Sequence, residues 1–234
     1  MALPVINAVT YTLTLPSTGD KLKYRAFLVK EQKTMMIAQE TEDDTVLQDA
    51  IADCITNCTF EKIDPWAMPS FDIEYIFLKI RSKSVGENID IVVIAPDDDE
   101  TECTVSVDLS KVECTMTDDH TNEIPLTDSI KLVMKYPTLR QTTLVEDSTE
   151  TVRMFEMIKT CIYQIIDGEV IHQDVDIPNA ELEVFIENMA AEHLTAVTTF
   201  FETMPKLTYT AKVTNPVTKK KGEVLIEGFA SFFE

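Results

Sequence analysis

The sequence predicts an α+β fold, and three observations carry the prediction. Val9-Thr10-Tyr11-Thr12-Leu13-Thr14-Leu15 alternates apolar and polar residues, and Lys21 to Phe27 alternates again after a Pro16–Asp20 turn. That is an N-terminal β-hairpin. Residues 70–85 read as one helix with start and stop signals at its ends. The last third returns to helical spacing before a final alternating hairpin.

Taken in order, the hairpin leads into a helix over Lys30 to Glu40, with Met35, Met36 and Ile37 as its apolar part. Glu42-Asp43-Asp44-Thr45 starts a second helix, whose Leu47, Ala50, Ile51, Cys54 and Cys58 share a face at three- and four-residue spacings. Asp64 to Pro69 is a loop set by two prolines around the only Trp, Trp66.

The helix that follows is the centre of the reading. Ser70 is placed as its N-cap, since a serine hydroxyl accepts from first-turn amides. Asp72 and Glu74 favour the positive end of the helix dipole, while Lys79, Arg81 and Lys83 favour the negative end. Gly86 can adopt the left-handed conformation that closes a helix. Phe71, Ile73, Tyr75, Ile76, Phe77, Leu78 and Ile80 are too much apolar surface for a one-sided helix, so contacts on several sides are expected.

Residues 88–135 read as a small antiparallel β-meander: strands at Ile89–Ala95, Cys103–Leu109, Val112–Met116 and Ile130–Met134, with an acidic turn at Pro96–Glu100. No connection there is long enough for a parallel crossover. One short helical turn is expected within Pro137 to Leu144. Thr151 to Ile166 carries a narrow polar stripe and reads as a mostly buried helix. Asn179 to Thr203 reads as one long amphipathic helix. Leu207, Tyr209, Ala211 and Val213 alternate into a turn holding Lys219-Lys220-Lys221, and Glu223 to Glu227 return. Two domains are expected. Residues 1–136 hold the hairpin, the central helix and the meander. Residues 137–234 form a helical hairpin closed by a β-hairpin and an aromatic tail, Phe229, Phe232 and Phe233.

Composition removes several function classes. The formal net charge is -21, from 41 acidic and 20 basic residues. Nucleic-acid binding rests on Lys and Arg displacing counterions, so such a surface repels it; an anionic membrane is disfavoured likewise. Only 5 Gly argue against a glycine-rich phosphate-binding loop. The five cysteines are an odd set. Met1 to Asn7 lacks a basic, apolar leader pattern, so reduced thiols in a cytoplasmic protein are expected. No apolar run reaches the roughly 18 residues that span a bilayer.

Searching for chemistry yields near misses. Cys54 and Cys58 are four apart, but Cys103, Cys114 and His120 stand at no ligand-like spacing for zinc. Asp97-Asp98-Asp99-Glu100 lacks the spacing and glycine of a calcium loop. His193 is placed on an apolar helix face. His172 and Asp174 could orient each other but serve no nucleophile. An enzyme, a metal and a cofactor are therefore not expected. Two features read as interaction surfaces instead. Lys219, Lys220 and Lys221 form the only basic run, suited to an acidic partner or to an acidic face of the protein itself. Phe229, Phe232 and Phe233 must be docked on the chain's own core or on a partner, because exposed apolar patches are costly.

Leu15-Pro16-Ser17-Thr18-Gly19 leading into Lys23 to Lys33, the central Phe71 to Glu87, and the closing Glu227 to Phe233 resemble the T-even-type phage base plate protein family. The resemblance covers both ends and the middle of the chain, and its motifs carry no catalytic residue. It implies a non-enzymatic tail protein of contractile-tailed phages, a component or assembly chaperone of the central baseplate hub. Its partners would be other hub or tape-measure proteins. Its place would be the host cytoplasm during assembly or the tail baseplate of the virion. Lys79, Arg81 and Lys83, with Lys219 to Lys221 and the three Phe, are the expected partner-binding residues. Surplus apolar surface on the central helix is expected to be buried on a partner or in the chain's own core. The alternatives are a metal-dependent hydrolase using Cys54, Cys58 and a His, and an acidic nucleic-acid mimic.

Overall fold

The computed structural model describes residues 8–41, 43–98, 100–144, 149–228 and 231. Their elements, in order, are β1 (Thr10–Thr14), β2 (Lys21–Arg25), α1 (Val29–Glu40), α2 (Asp44–Cys58), α3 (Ser70–Val85), β3 (Asn88–Ile94), β4 (Glu102–Asp108) and β5 (Glu113–Thr115). Then come β6 (Glu123–Pro125), β7 (Ile130–Met134), α4 (Leu139–Leu144), α5 (Glu150–Cys161), β8 (Ile162–Asp167), β9 (Val170–Gln173), α6 (Asn179–Glu187), α7 (Ala191–Thr203), β10 (Lys206–Thr214) and β11 (Lys221–Glu227). Short 3-10 turns occur at Pro65–Ala67, Leu109–Lys111 and Asp174–Asp176. The fold is α+β, with every sheet antiparallel.

The chain divides into one unit of Met1–Thr115 with Lys206–Glu234, and a second of Met116–Pro205. The expected boundary at residue 136 differs from this division. The reason is β10, which pairs with β11 on one edge and with β5 on the other, Leu207 opposite Cys114. Backbone hydrogen bonds thus return the last strands to the first unit.

In the first unit α3 packs against α2, β2, β5, β10 and the Leu109–Lys111 turn. Phe71, Ile73, Ile76, Phe77, Leu78 and Ile80 are each at most 2 % exposed. Burying such a side chain contributes roughly 1.5–3 kcal/mol. Of the two expected burial sites for this surplus apolar surface, a partner or the chain's own core, the chain's own unit takes it up; of α3's apolar residues only Val85 is exposed. A second layer of this core is made by inward residues of four strands, including Ile91, Val105, Val107, Leu207, Ala211, Val213 and Ile226. The ends of α3 also differ from expectation. Pro69, not Ser70, is the N-cap. Gly86 closes the helix at φ 126°, ψ 155°, outside the left-handed helical region but open only to a residue without Cβ.

The expected meander over 88–135 is three separate pairings. β3 and β4 form a hairpin, β5 joins β10, and β6 and β7 join β8 and β9 in a four-stranded sheet. Strand pairing is chosen by what each face can be buried against, which local alternation does not encode. The same sheet takes Ile162–Asp167 away from the expected helix 151–166. Ile162, Ile165 and Ile166 are β-branched, and β8 gains two partners, β7 and β9.

The expected helix 179–203 is two helices. Ala190 is extended, at φ -68° and ψ 157°, and its N–H donates to His193 Nδ1 at 3.3 Å. His193 therefore restarts the helix rather than sitting in the core. The second unit's core joins Leu132, Met134, Ile158, Cys161, Ile162, Leu182, Ile186, Val197 and Phe200. His120 lies beside it, hydrogen-bonded to Tyr136 Oη at 3.0 Å and Thr203 Oγ1 at 2.9 Å; burial lowers its pKa. Among the described residues no helix is long and apolar enough to cross a membrane.

Candidate interaction surfaces

The residues expected to bind a partner fall into different settings. The Lys79 ammonium is drawn into the first unit. It donates to the carbonyls of Ser110 at 2.8 Å, Val112 at 2.9 Å and Leu109 at 3.4 Å, and lies 4.9 Å from the Tyr75 ring centre. Burial lowers its pKa, as desolvating an ammonium must. Lys79 thus ties α3 to the turn before β5. Arg81 is half-buried, and burial lowers its pKa too. Lys83 pairs with Glu87 one helical turn on and lies over the Tyr11 ring. Phe229, Phe232 and Phe233 lie outside the described residues.

Lys219, Lys220 and Lys221 are exposed at the β10–β11 turn. The structure brings the acidic β3–β4 turn to the same place. Asn215, fully buried, donates its side-chain amide to Asp97 at 2.9 Å and Asp98 at 2.8 Å. Its side-chain oxygen accepts from Val217 N and Thr218 N, and Thr218 Oγ1 donates to Asp97 at 2.6 Å. Hydrogen bonds from Thr218 and Asn215 hold the Asp97 carboxyl below its usual range, and the Lys220 charge adds to this. The lysine run and the Asp97–Asp98 turn therefore form one mixed-charge surface, joined by Asn215. Asn215→Ala should cost about 2 kcal/mol by removing two hydrogen bonds to carboxylates and two from turn amides at once. A urea titration checks it; a loss below about 0.5 kcal/mol would remove Asn215 from this role.

Other polar groups organise the interior. Asp72, fully buried in the first turn of α3, accepts from Ser17 N at 3.0 Å and from Ser17 Oγ. Burial raises its pKa and the Ser17 bonds partly offset this. It locks the β1–β2 turn to α3 instead of facing solvent at the helix end. Glu74 has no hydrogen-bonding or charged partner among the described residues, and burial pushes its carboxyl up to about 7. Arg25 donates to Glu31 at 2.8 Å, with both side chains at most 10 % exposed. The Glu31 carboxylate also accepts from Leu28 N at 2.8 Å, which caps α1.

Cys54 and Cys58 have sulfurs 4.0 Å apart, and the Arg25 guanidinium lies 3.6 Å from Cys58. The hydrogen bond from Cys54 and the Arg25 charge make Cys58 the more acidic thiol. Among the described residues no group of three His, Cys, Asp or Glu could hold a metal. Asp174 pairs with Lys135 rather than with His172.

The sequence pattern does not by itself pair Arg25 on β2 with Glu31 at the start of α1. The available signal was a glutamate three residues into a helix start, the position that reaches back to the cap.

A family model described as T4 bacteriophage base plate protein matches residues 8–234. The chain belongs to this family. None of the curated proteins and none of the solved structures compared with it matches. As a T4-type baseplate protein it has a phage-tail role among other baseplate proteins. The match spans both units, including residues 88–135.

Proposed function

We propose that this protein is a component or assembly chaperone of the central baseplate hub of a contractile-tailed phage, acting by non-enzymatic protein–protein binding. The observation that carries the reading is the family match over nearly the whole chain. The charge balance supports a protein partner over nucleic acid, since a net charge of -21 disfavours phosphate backbones. Lys83 and the lysine run at Lys219–Lys221 offer charge complementarity at the surface, which sets specificity and on-rate more than affinity. Hub and tape-measure proteins are the proposed partners.

Mass spectrometry of purified virions tests the two versions. A hub subunit is present in stoichiometric amounts. A chaperone is missing from virions and co-purifies with hub or tape-measure proteins from infected cells. A protein found in neither setting overturns the hub reading.

A further inference from the structure

Two sheet edges of the first unit face one cleft of about 760 Å³. Its walls are five consecutive residues of β3, Asp90 to Ile94, and four of β11, Val224 to Glu227, with Ser231 at the rim. Successive strand side chains point to opposite faces, so a wall of consecutive residues is a strand edge.

The register shows which backbone groups point there. Ala95 N donates to Thr101 O at 2.8 Å, and Leu109 N donates to Glu87 O at 2.6 Å, at the two ends of the β3–β4 pairing. Antiparallel ladders alternate hydrogen-bonded and open pairs. Ile89, Ile91 and Val93 therefore bond to β4, while the N–H and C=O of Asp90, Val92 and Ile94 point away from it. The same alternation holds in β11, where Asn215 N to Lys220 O and Gly228 N to Leu207 O leave Glu223, Leu225 and Glu227 pointing outward.

β11 carries Lys221, Glu223 and Glu227 along its edge, whereas on β3 the one charge is Asp90. β3 has no Pro or Lys, and its register with β4 runs unbroken from Asn88 to Ile94 without a bulge. Its outward side chains include Val92 at 60 % and Ile94 at 45 % exposure, and Leu225 stands opposite at 55 %. An unprotected apolar edge is a pairing template. The carboxylates in the lining are Asp90 and Glu227, and no Lys or Arg is among the lining residues. On β11 the Glu227 carbonyl already accepts from Ser231 Oγ, so β3 is the more open wall.

We propose that the edge of β3 left unpaired among the described residues receives an extended, basic segment of another baseplate protein, which adds as a strand beside Asp90–Ile94. This rests on the baseplate reading and names the kind of partner it requires. Main-chain bonds to Asp90, Val92 and Ile94 supply affinity over about 16 Å of strand. Apolar residues of the segment cover Val92 and Ile94, and its Lys or Arg meets Asp90 and Glu227.

The probe is a short blocked peptide alternating valine and lysine, with a valine–glutamate peptide and a backbone N-methylated copy as controls. Amide exchange is read by NMR on the full chain. In the chain alone the amides of Asp90, Val92 and Ile94 exchange fast, and Ile91 and Val93 exchange slowly. Saturating valine–lysine peptide slows the first three about tenfold, and neither control does. Val92→Pro removes one outward N–H without touching the β3–β4 ladder, a substitution an edge strand tolerates. It should keep the fold and lose at least about tenfold in peptide affinity; should it fail to fold, the N-methylated peptide makes the same test on the natural chain.

Absence of protection at saturation overturns the proposal. So does protection that survives N-methylation or Val92→Pro. Edge amides already protected in the chain alone also overturn it, assigning the cleft to the chain itself or, if sedimentation shows a dimer, to a second copy. The hub reading is separable: a virion-incorporated protein with an unresponsive edge sinks only the strand proposal, and a responsive edge in a protein found in neither virions nor hub complexes sinks only the hub reading.

Discussion

Glu31→Ala should destabilise the first unit by about 3–5 kcal/mol, among the largest losses a single side chain can cause. Arg25 and Glu31 are both interior, and the pair is 2.8 Å apart. Burial would raise the Glu31 pKa, but hydrogen bonds from Arg25 and from Leu28 N outweigh it and hold the carboxyl below its usual value. Removing the carboxylate leaves the guanidinium buried against Ala26 O and the Cys58 sulfur alone. It also removes the acceptor of the Leu28 amide at the start of α1. Urea unfolding at neutral pH reads the loss as a lower midpoint with unchanged slope. Because a buried pair is worth little relative to apolar residues of the same size, Arg25→Met with Glu31→Leu should recover most of the loss. A single variant that loses less than about 1 kcal/mol would show that the guanidinium finds water, and would sink the account.

Glu74→Gln should act in the opposite direction and only above mildly acid pH. Burial holds the Glu74 carboxyl protonated up to about 7, against an ordinary value of 4.5. Between those two values the folded state binds more protons than the unfolded state, so stability falls as pH rises through the window. Glutamine has the same shape and no charge to desolvate. The two proteins should therefore be equally stable below about pH 4.5, and the variant more stable by about 2–3 kcal/mol above pH 7.5. Part of the side chain reaches water, which keeps the gain below the full shift. Thermal or urea melts across that range provide the measurement. A gain independent of pH would mean that Glu74 is not the group titrating.

Both effects arise from residues whose roles were invisible along the chain. Asp72 and Glu74 look like helix-dipole charges because they stand near the start of a well-punctuated helix. Their burial follows from how many sides of α3 are covered: the β1–β2 turn comes down on Asp72 through Ser17. Lys79 likewise looks like a free helix-end cation, and its three carbonyl partners lie 30 or more residues away. The acidic and basic turns, more than 110 residues apart, meet through hydrogen bonds from Asn215 and Thr218.

Local chemistry determined much of the rest. Alternation specified both terminal hairpins, and the apolar content and end signals of residues 70–85 specified α3 and its burial on several sides. The motifs at both ends and in the middle were enough to point to the baseplate family, and the match over residues 8–234 bears this out. Tertiary structure alone decided strand partners, because any alternating segment can pair with any other until burial and backbone hydrogen bonds select one. That choice broke the single meander into three pairings and turned Ile162–Asp167 from helix to strand. It also sent β10 back to β5 in the first unit, and among the described residues it left the β3 edge unpaired beside Asp90, Val92 and Ile94.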